Sequence, residues 1–187
     1  MKATDFNIAE YLQFNPAEGT MMLKSQRMVM MSAHSFGILL KEIYTIGGEN
    51  MLRVFFRRFG EAAGRDDAKL LKVEFSPDTD MDWIALCPTI HTWEGIVKAV
   101  PEVINFNRED GHFYMKGTWE NSFYAEQWKA MMGPSKKPIC DILTGYATGY
   151  ASEFFGRDLI CKEPTCVACG DDKCRFEIKP REEWGDK

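Results

Sequence analysis

The stretch CKEPTCVACGDDKC, residues 161 to 174, sets four cysteines, a glutamate and a Gly-Asp-Asp turn within fourteen positions. Thiolates and carboxylates at this density are the ligands of a borderline-soft divalent ion such as zinc. Two sets fit the spacing. One is local, Cys161, Cys166, Cys169 and Cys174. The other takes Glu163, Cys166 and Cys174 from the hairpin and adds Cys140 from the first turn of the helix that leads into it. Four protein ligands with no open position make a structural site, which would tie the C-terminal hairpin to the body of the chain. Redox chemistry at CVAC is disfavoured, because Gly170, Asp171 and Asp172 follow it with a turn and two acids that raise a thiol pKa. Covalent haem attachment fails because Gly170 stands where a histidine is needed. An iron–sulfur cluster would use the same four local sulfurs. Cys87, inside an apolar stretch, reads as a small core residue.

Catalytic signatures are missing. The chain has no GxSxG, HExxH or GxxxxGK[ST] motif, and its three histidines are His34, His91 and His112. The expectation is a protein that is not an enzyme. His91 in CPTIHTWEG and Trp119 in KGTWENS have apolar and aromatic neighbours, so packing alone would account for them. If both faced one cavity, imidazole and indole would each offer a polar handle on an apolar wall, a good receptor for the hydroxyl or ring of an aromatic molecule.

The elements that must position these groups follow from patterning. At 187 residues, 45% hydrophobic, one domain with a real core is expected. Lys and Arg total 23 against 28 Asp and Glu, with no basic block, which argues against direct binding of nucleic acid. The N-terminus lacks a signal-peptide pattern, and the Met-rich stretch after it is broken by Lys24, Arg27 and His34, so no membrane segment is expected and the cytoplasm is the expected location. The six cysteines are then expected to be reduced. TMMLKSQRMVMM reads as two short strands turning at Lys24 to Gln26. SFGILLKEIYTI is a helix stopped at Gly47-Gly48, and ENMLRVFFRRFGEAAG restarts as a second, with a short helical piece at DDAKLL and another over DTDMDWIALCPTI. Residues 95 to 106 and 112 to 119 read as strands joined by NREDG. NSFYAEQWKAMMG and PICDILTGYATGYASEFFG are the last helices, the second opened by Pro138, with Gly145 and Gly149 forming a smooth flank for close packing. RDLICKE and KCRFEIK are terminal strands. The predicted fold is α+β, helices packed on a small antiparallel sheet with a metal-clamped C-terminal hairpin.

TGYATGYASEFFGRDLICKEPTCVACGDDKC followed by KPREEW resembles the 4-vinyl reductase domain that closes the N-terminal sensor module of the XylR/DmpR/MopR-type sigma-54-dependent activators. The likeness extends back through GPSKKPIC, TWENSF, IHTWEG, FFRRFGEAAG and LQFNPAEGTMMLKSQRM, nearly the whole chain. It implies a single sensor domain over 1–187, with N-terminal dimerisation strands at 1–32, an effector-binding core at 33–135 and a 4-vinyl-reductase-like zinc-binding segment at 136–180. It implies structural zinc on Cys140, Glu163, Cys166 and Cys174, and a phenol-binding pair on His91 and Trp119. The implied partners are a small aromatic effector of the phenol, alkylbenzene or biphenyl class, a second copy in a homodimer, and a AAA+ ATPase domain in cis if the chain is an excised fragment. Ile84, Trp93, Tyr146 and Tyr150, with Trp83, are expected to line the pocket. Gly117 and Cys161 stand where this family carries bulky side chains, and are expected to widen the cavity for a larger or substituted effector. The alternatives are an enzyme or accessory factor of tetrapyrrole reduction, for which a GxGxxG hydride-donor site is missing, and a metal-stabilised dimerisation module with no small ligand.

Overall fold

The computed structural model describes residues 1–185. Its longest element, α1 (Ala33–Phe75), is capped by the Ser32 hydroxyl, which accepts from the Ser35 amide. Gly48 breaks the helical path at φ 74° and ψ 177°, so α1 is two helices in series, as the glycine pair predicts. The second half runs through Gly60 and Gly64 to Phe75 as one helix, where the sequence pattern predicts an end at Gly64 and a separate piece at DDAKLL. Those glycines face α4 (Asp141–Phe155): a Cβ on Gly60 would lie 2.3 Å from the Ile142 carbonyl oxygen, and one on Gly64 would lie 2.2 Å from that of Tyr146. Gly145 and Gly149 answer from α4, each against a carbonyl of α1. The two helix backbones therefore touch, and no side chain can be inserted between them.

α2 (Asp80–Trp93) starts at Thr79, whose hydroxyl accepts from the Asp82 amide. The chain then turns at Gly95 (φ 72°) into β4 (Lys98–Asn107) and β5 (His112–Glu120), followed by α3 (Phe123–Met132). After α4 come β6 (Leu159–Thr165), a 3-10 turn at Val167–Cys169, β7 (Cys174–Pro180) and a second 3-10 turn at Arg181–Trp184. The main sheet has the order β4-β5-β7-β6, every pair antiparallel. α4 lies between this sheet and α1. A smaller antiparallel sheet, β1 (Leu12–Asn15), β2 (Thr20–Leu23) and β3 (Gln26–Met28), forms the N-terminus. Phe6 and Tyr11 pin it to the end of α1 through Phe75, at ring separations of 5.3 and 5.1 Å. The α+β expectation holds.

One helix start differs from the sequence reading. α4 begins at Asp141 with Cys140 at its cap, and Pro138 lies outside it. The reason is local: the Cys140 amide donates to Glu163 Oε2 at 2.9 Å, while Arg53 donates to the Pro138 carbonyl and to the Asp141 carboxylate, at 2.7 and 2.9 Å. Among the described residues, no helix is long and apolar enough to cross a membrane.

Candidate metal centre and ligand cavity

β6, β7 and the cap of α4 converge on one point. Ligand atoms of Cys140, Glu163, Cys166 and Cys174 all lie within 4.8 Å of one another. The sulfur of Cys174 is 4.0 Å from that of Cys140 and 3.7 Å from that of Cys166. A tetrahedral ion with bonds of about 2.3 Å to sulfur has sulfurs about 3.8 Å apart, so these spacings fit. The electrostatics fit as well. Burial pushes Cys140 well above the ordinary thiol range, whereas hydrogen bonds from Cys140 and Cys174 pull Cys166 down to about 2. At Cys174 the lowering contact with Cys140 is outweighed by Cys166 and burial. Glu163 is pushed up to about 8 by burial and by the neighbouring Cys166, and its Oε1 is buried with no hydrogen-bond partner. Four potential anions thus share one negative charge around an unsatisfied oxygen, and a divalent cation would offset part of the charge they carry once ionised. The cluster could hold a metal ion. Cys161 is not in it: its amide donates to Thr148 Oγ1 at 2.9 Å, and its side chain is buried elsewhere. Cys169 is also outside it, at the end of the 3-10 turn.

A cavity of about 30 Å³ lies next to this cluster, between α2, α4 and the sheet. Each wall follows the period of its element. Ile84, Cys87, Pro88 and His91 share one face of α2; Leu143, Tyr146, Ala147 and Tyr150 share one face of α4. Met115 and Trp119 come from the inner face of β5, Phe176 and Ile178 from that of β7. His91 is buried and its ring centroid is 4.2 Å from that of Tyr146. Burial pushes His91 down to about 4, so at neutral pH it is an uncharged imidazole with one donor and one acceptor. Its carbonyl accepts from the Ile96 amide at 3.1 Å, which fixes the end of α2 against the start of β4. Trp119 stacks on Phe176 at 5.0 Å and 22°. The hydroxyls of Tyr146 and Tyr150 donate away to Asp67 and to the Trp83 carbonyl, at 2.7 and 2.8 Å.

The family model described as activator of aromatic catabolism, XylR_N, matches residues 7–116, more than half of the chain. The chain belongs to the XylR_N family. A 4-vinyl reductase domain model matches residues 115–180, so the two matches meet inside β5. Transcriptional regulatory protein XylR of Pseudomonas putida is 33% identical over 96% of this chain and 32% of its own. Phenol regulator MopR of Acinetobacter guillouiae is 31% identical over 95% of this chain and 32% of its own. The chain thus spans about a third of the length of these curated relatives. Among solved structures, the phenol-responsive sensory domain of the transcription activator PoxR, with phenol, is 35% identical at a TM-score of 0.89, covering 96% of this chain and 90% of that one.

Within this XylR_N fold, His91, Trp119, Ile84, Tyr146 and Tyr150 all line the one cavity. Trp93 does not join them. Two residues beyond His91 on α2, it lies on the other side of the helix, 48% exposed, against a surface groove. Trp83 is also elsewhere, packed on Phe154 with its Nε1 donating to the Ala68 carbonyl at 2.9 Å. Gly117 does not widen the cavity. It is directly opposite Phe176 in the sheet, and a Cβ there would meet the Val100 oxygen at 2.2 Å and the Phe176 ring at 2.9 Å. The space a side chain would take is filled by the ring and by the bulged β4 strand. Cys161 lies on β6 behind the cavity wall rather than in it. Sequence reasoning left out Cys87, Met115, Leu143 and Phe176. The spacing of 84, 87, 88 and 91 on α2, and of 174, 176 and 178 on β7, was the available signal.

Proposed function

We propose that this chain is an effector-sensing domain that binds a small aromatic molecule between His91 and Trp119 and passes the event to a sigma-54-dependent transcription activator. The observation that carries the reading is the apolar cavity whose available polar groups are the His91 imidazole and the Trp119 indole, in a fold matched by a phenol-responsive domain. At about 30 Å³ the cavity is well below the roughly 150 Å³ of an apolar cavity that takes benzene. A ring therefore enters only as Met115 and the Trp119–Phe176 stack give way, and β7 has to move with them. That movement would be the signal, because β7 runs directly into the C-terminal turn at Arg181–Trp184. Differential affinity for the tight and opened states is what lets a ligand shift such an equilibrium.

Zinc is the proposed ion on Cys140, Glu163, Cys166 and Cys174, from the chemistry of three thiolates and one carboxylate. Its part is structural: it offsets part of the charge of the thiolates and ties the hairpin to α4. The division into N-terminal dimerisation strands at 1–32, a core at 33–135 and a metal-binding segment at 136–180 belongs to the same proposal, as do a homodimer, a AAA+ ATPase domain in cis in a longer protein, and a cytoplasmic location. Support for the dimer comes from apolar residues left on the surface, Phe14, Val29, Met30 and Met31 near the N-terminal sheet and Ile46, Val54, Phe55 and Phe59 on α1. Titration with phenol, m-xylene and biphenyl, followed by tryptophan fluorescence, tests the sensor reading. Saturable quenching that is lost in His91→Ala is expected; no binding of any of the three, or an unchanged response in His91→Ala, refutes the assigned site.

A further inference from the structure

The charge around the cavity is one-sided. Among the described residues, no lysine or arginine lines it. β4, β5 and β7 contribute Ala99, Met115, Trp119, Phe176 and Ile178, none of which ionises. α2 contributes Cys87 and His91, and α4 contributes Tyr146 and Tyr150. Both tyrosine hydroxyls are committed as donors to groups outside the cavity, so neither offers a proton to an anion within it. Two acids lie behind this wall: Asp67 of α1, raised above the usual carboxylate range by burial, which accepts from the Tyr146 hydroxyl at 2.7 Å, and Glu94 at the end of α2. A bound anion would leave water without meeting a cation, and would sit behind a tyrosine whose far end is held by a carboxylate.

We propose that the cavity takes aromatic molecules only in their un-ionised form, and that Asp67 sets this selection by fixing the Tyr146 hydroxyl outward and placing a negative charge behind it. The proposal rests on the aromatic-effector reading and specifies which members of that class fit. Burial supports it at His91, which is held down to about 4 and supplies no positive charge at neutral pH. Glu94 is pushed up to about 7 by burial and by Asp67, so the end of α2 becomes more negative as pH rises through neutrality. Cys87 is pushed well above the ordinary thiol range by burial and stays neutral.

The test pairs ligands of the same shape and opposite ionisation. Benzyl alcohol and benzoate are titrated at one neutral pH by calorimetry or tryptophan fluorescence; 4-nitrophenol, which ionises near neutrality, is titrated across pH with m-xylene as the un-ionisable control. Benzoate should bind at least about 100-fold more weakly than benzyl alcohol, the scale of an unpaired buried charge. The 4-nitrophenol affinity, divided by that of m-xylene at each pH, should fall about tenfold per pH unit above the phenol's own pKa. Asp67→Asn should narrow the benzyl alcohol to benzoate ratio by about tenfold, a change that a purely structural role would not produce. Benzoate within about threefold of benzyl alcohol would overturn the proposal and leave the aromatic-sensor reading standing. An unaltered ratio in Asp67→Asn would overturn the role given to Asp67. Failure of benzyl alcohol and m-xylene to bind at any pH would bring down the aromatic-sensor reading itself.

Discussion

Metal entry should expel three protons. In the metal-free cluster Cys140 and Cys174 are held above the ordinary thiol range, Glu163 is up at about 8, and Cys166 alone is pulled down, to about 2. At pH 7 one of the four ligands is therefore ionised, and an ion that needs all four as anions must displace the remaining three protons. Affinity then rises with pH by about three logarithmic units per pH unit, so lowering pH from 7 to 6 weakens binding by about 10³, or ~4 kcal/mol. Above pH 8 Glu163 has already lost its proton and the slope falls to about two. Without metal, the two opposed shifts cancel between the ordinary carboxylate range and pH 8. Glu163, raised on folding, contributes stability that is lost as pH rises through that window; Cys166, lowered on folding, contributes stability that is lost as pH falls through it. The contribution of these two ligands to the stability of metal-free protein should therefore be flat there. Calorimetric titration of chelator-treated protein with zinc, in two buffers of different ionisation enthalpy at pH 7, reads the proton count directly. One proton or fewer would mean that the ligands are already anionic, and would refute the shared-charge description of the site.

Three further outcomes follow from packing. Gly149→Ala puts a Cβ 2.1 Å from the Glu61 carbonyl oxygen; separating α1 from α4 should cost about 1–3 kcal/mol beyond the ~1 kcal/mol alanine gains in helix propensity, lowering the thermal midpoint by several degrees. Tyr150→Phe deletes the 2.8 Å bond to the Trp83 carbonyl inside the core, and should lower stability by about 1 kcal/mol in urea with the denaturant slope unchanged. Arg53→Met leaves Asp141, whose carboxylate is raised by burial and held back by Arg53, without its cation. It should cost about 2–4 kcal/mol at pH 7 by chemical denaturation. With Asp141 raised further, that deficit grows as pH rises through its new pKa and shrinks on acidification, and a deficit constant with pH would contradict the pairing.

The parts of this molecule that were legible in its sequence are those governed by a single element's period. The stripe on α4 that brings Leu143, Tyr146 and Tyr150 to one face, the break at Gly48 and the hairpin of β4 and β5 all follow from local patterning. What was not legible depended on two elements at once. Spacing within residues 161 to 174 offered two ligand sets with equal force; family resemblance chose between them, and the chosen set agrees with the cluster because the cap of α4 reaches the hairpin. Gly64 read as the end of a helix because its reason, the backbone of α4, lies about eighty residues away. Gly117 read as vacant space because the ring that fills it, Phe176, comes from a different strand.

β7 joins the metal cluster to the cavity wall. A strand turns every second side chain to the same face, so Cys174, Phe176 and Ile178 point together toward α4, while Arg175, Glu177 and Lys179 are less buried between them. The first of these residues is in the metal cluster and the next two are cavity wall. Across the ladder Trp119 is opposite Cys174 and Met115 is opposite Ile178, so the neighbouring strand repeats the same order from cluster to cavity. A one-residue slip of β7 would turn the cysteine, the phenylalanine and the isoleucine away from the core at once. A metal ion holding Cys174 to Cys140 would therefore fix the register of the strand as well as its end, and would set the shape of the cavity from outside it. In the proposed sensor, an aromatic ring entering between Phe176 and Trp119 would push on a strand whose first residue is in the metal cluster and whose far end, paired with β6 as far as Pro180, leads into the C-terminal turn. The displacement would reach the C-terminal turn, where Trp184 Nε1 donates to the Ile160 carbonyl at 3.1 Å and its ring lies 4.2 Å from Lys179 Nζ.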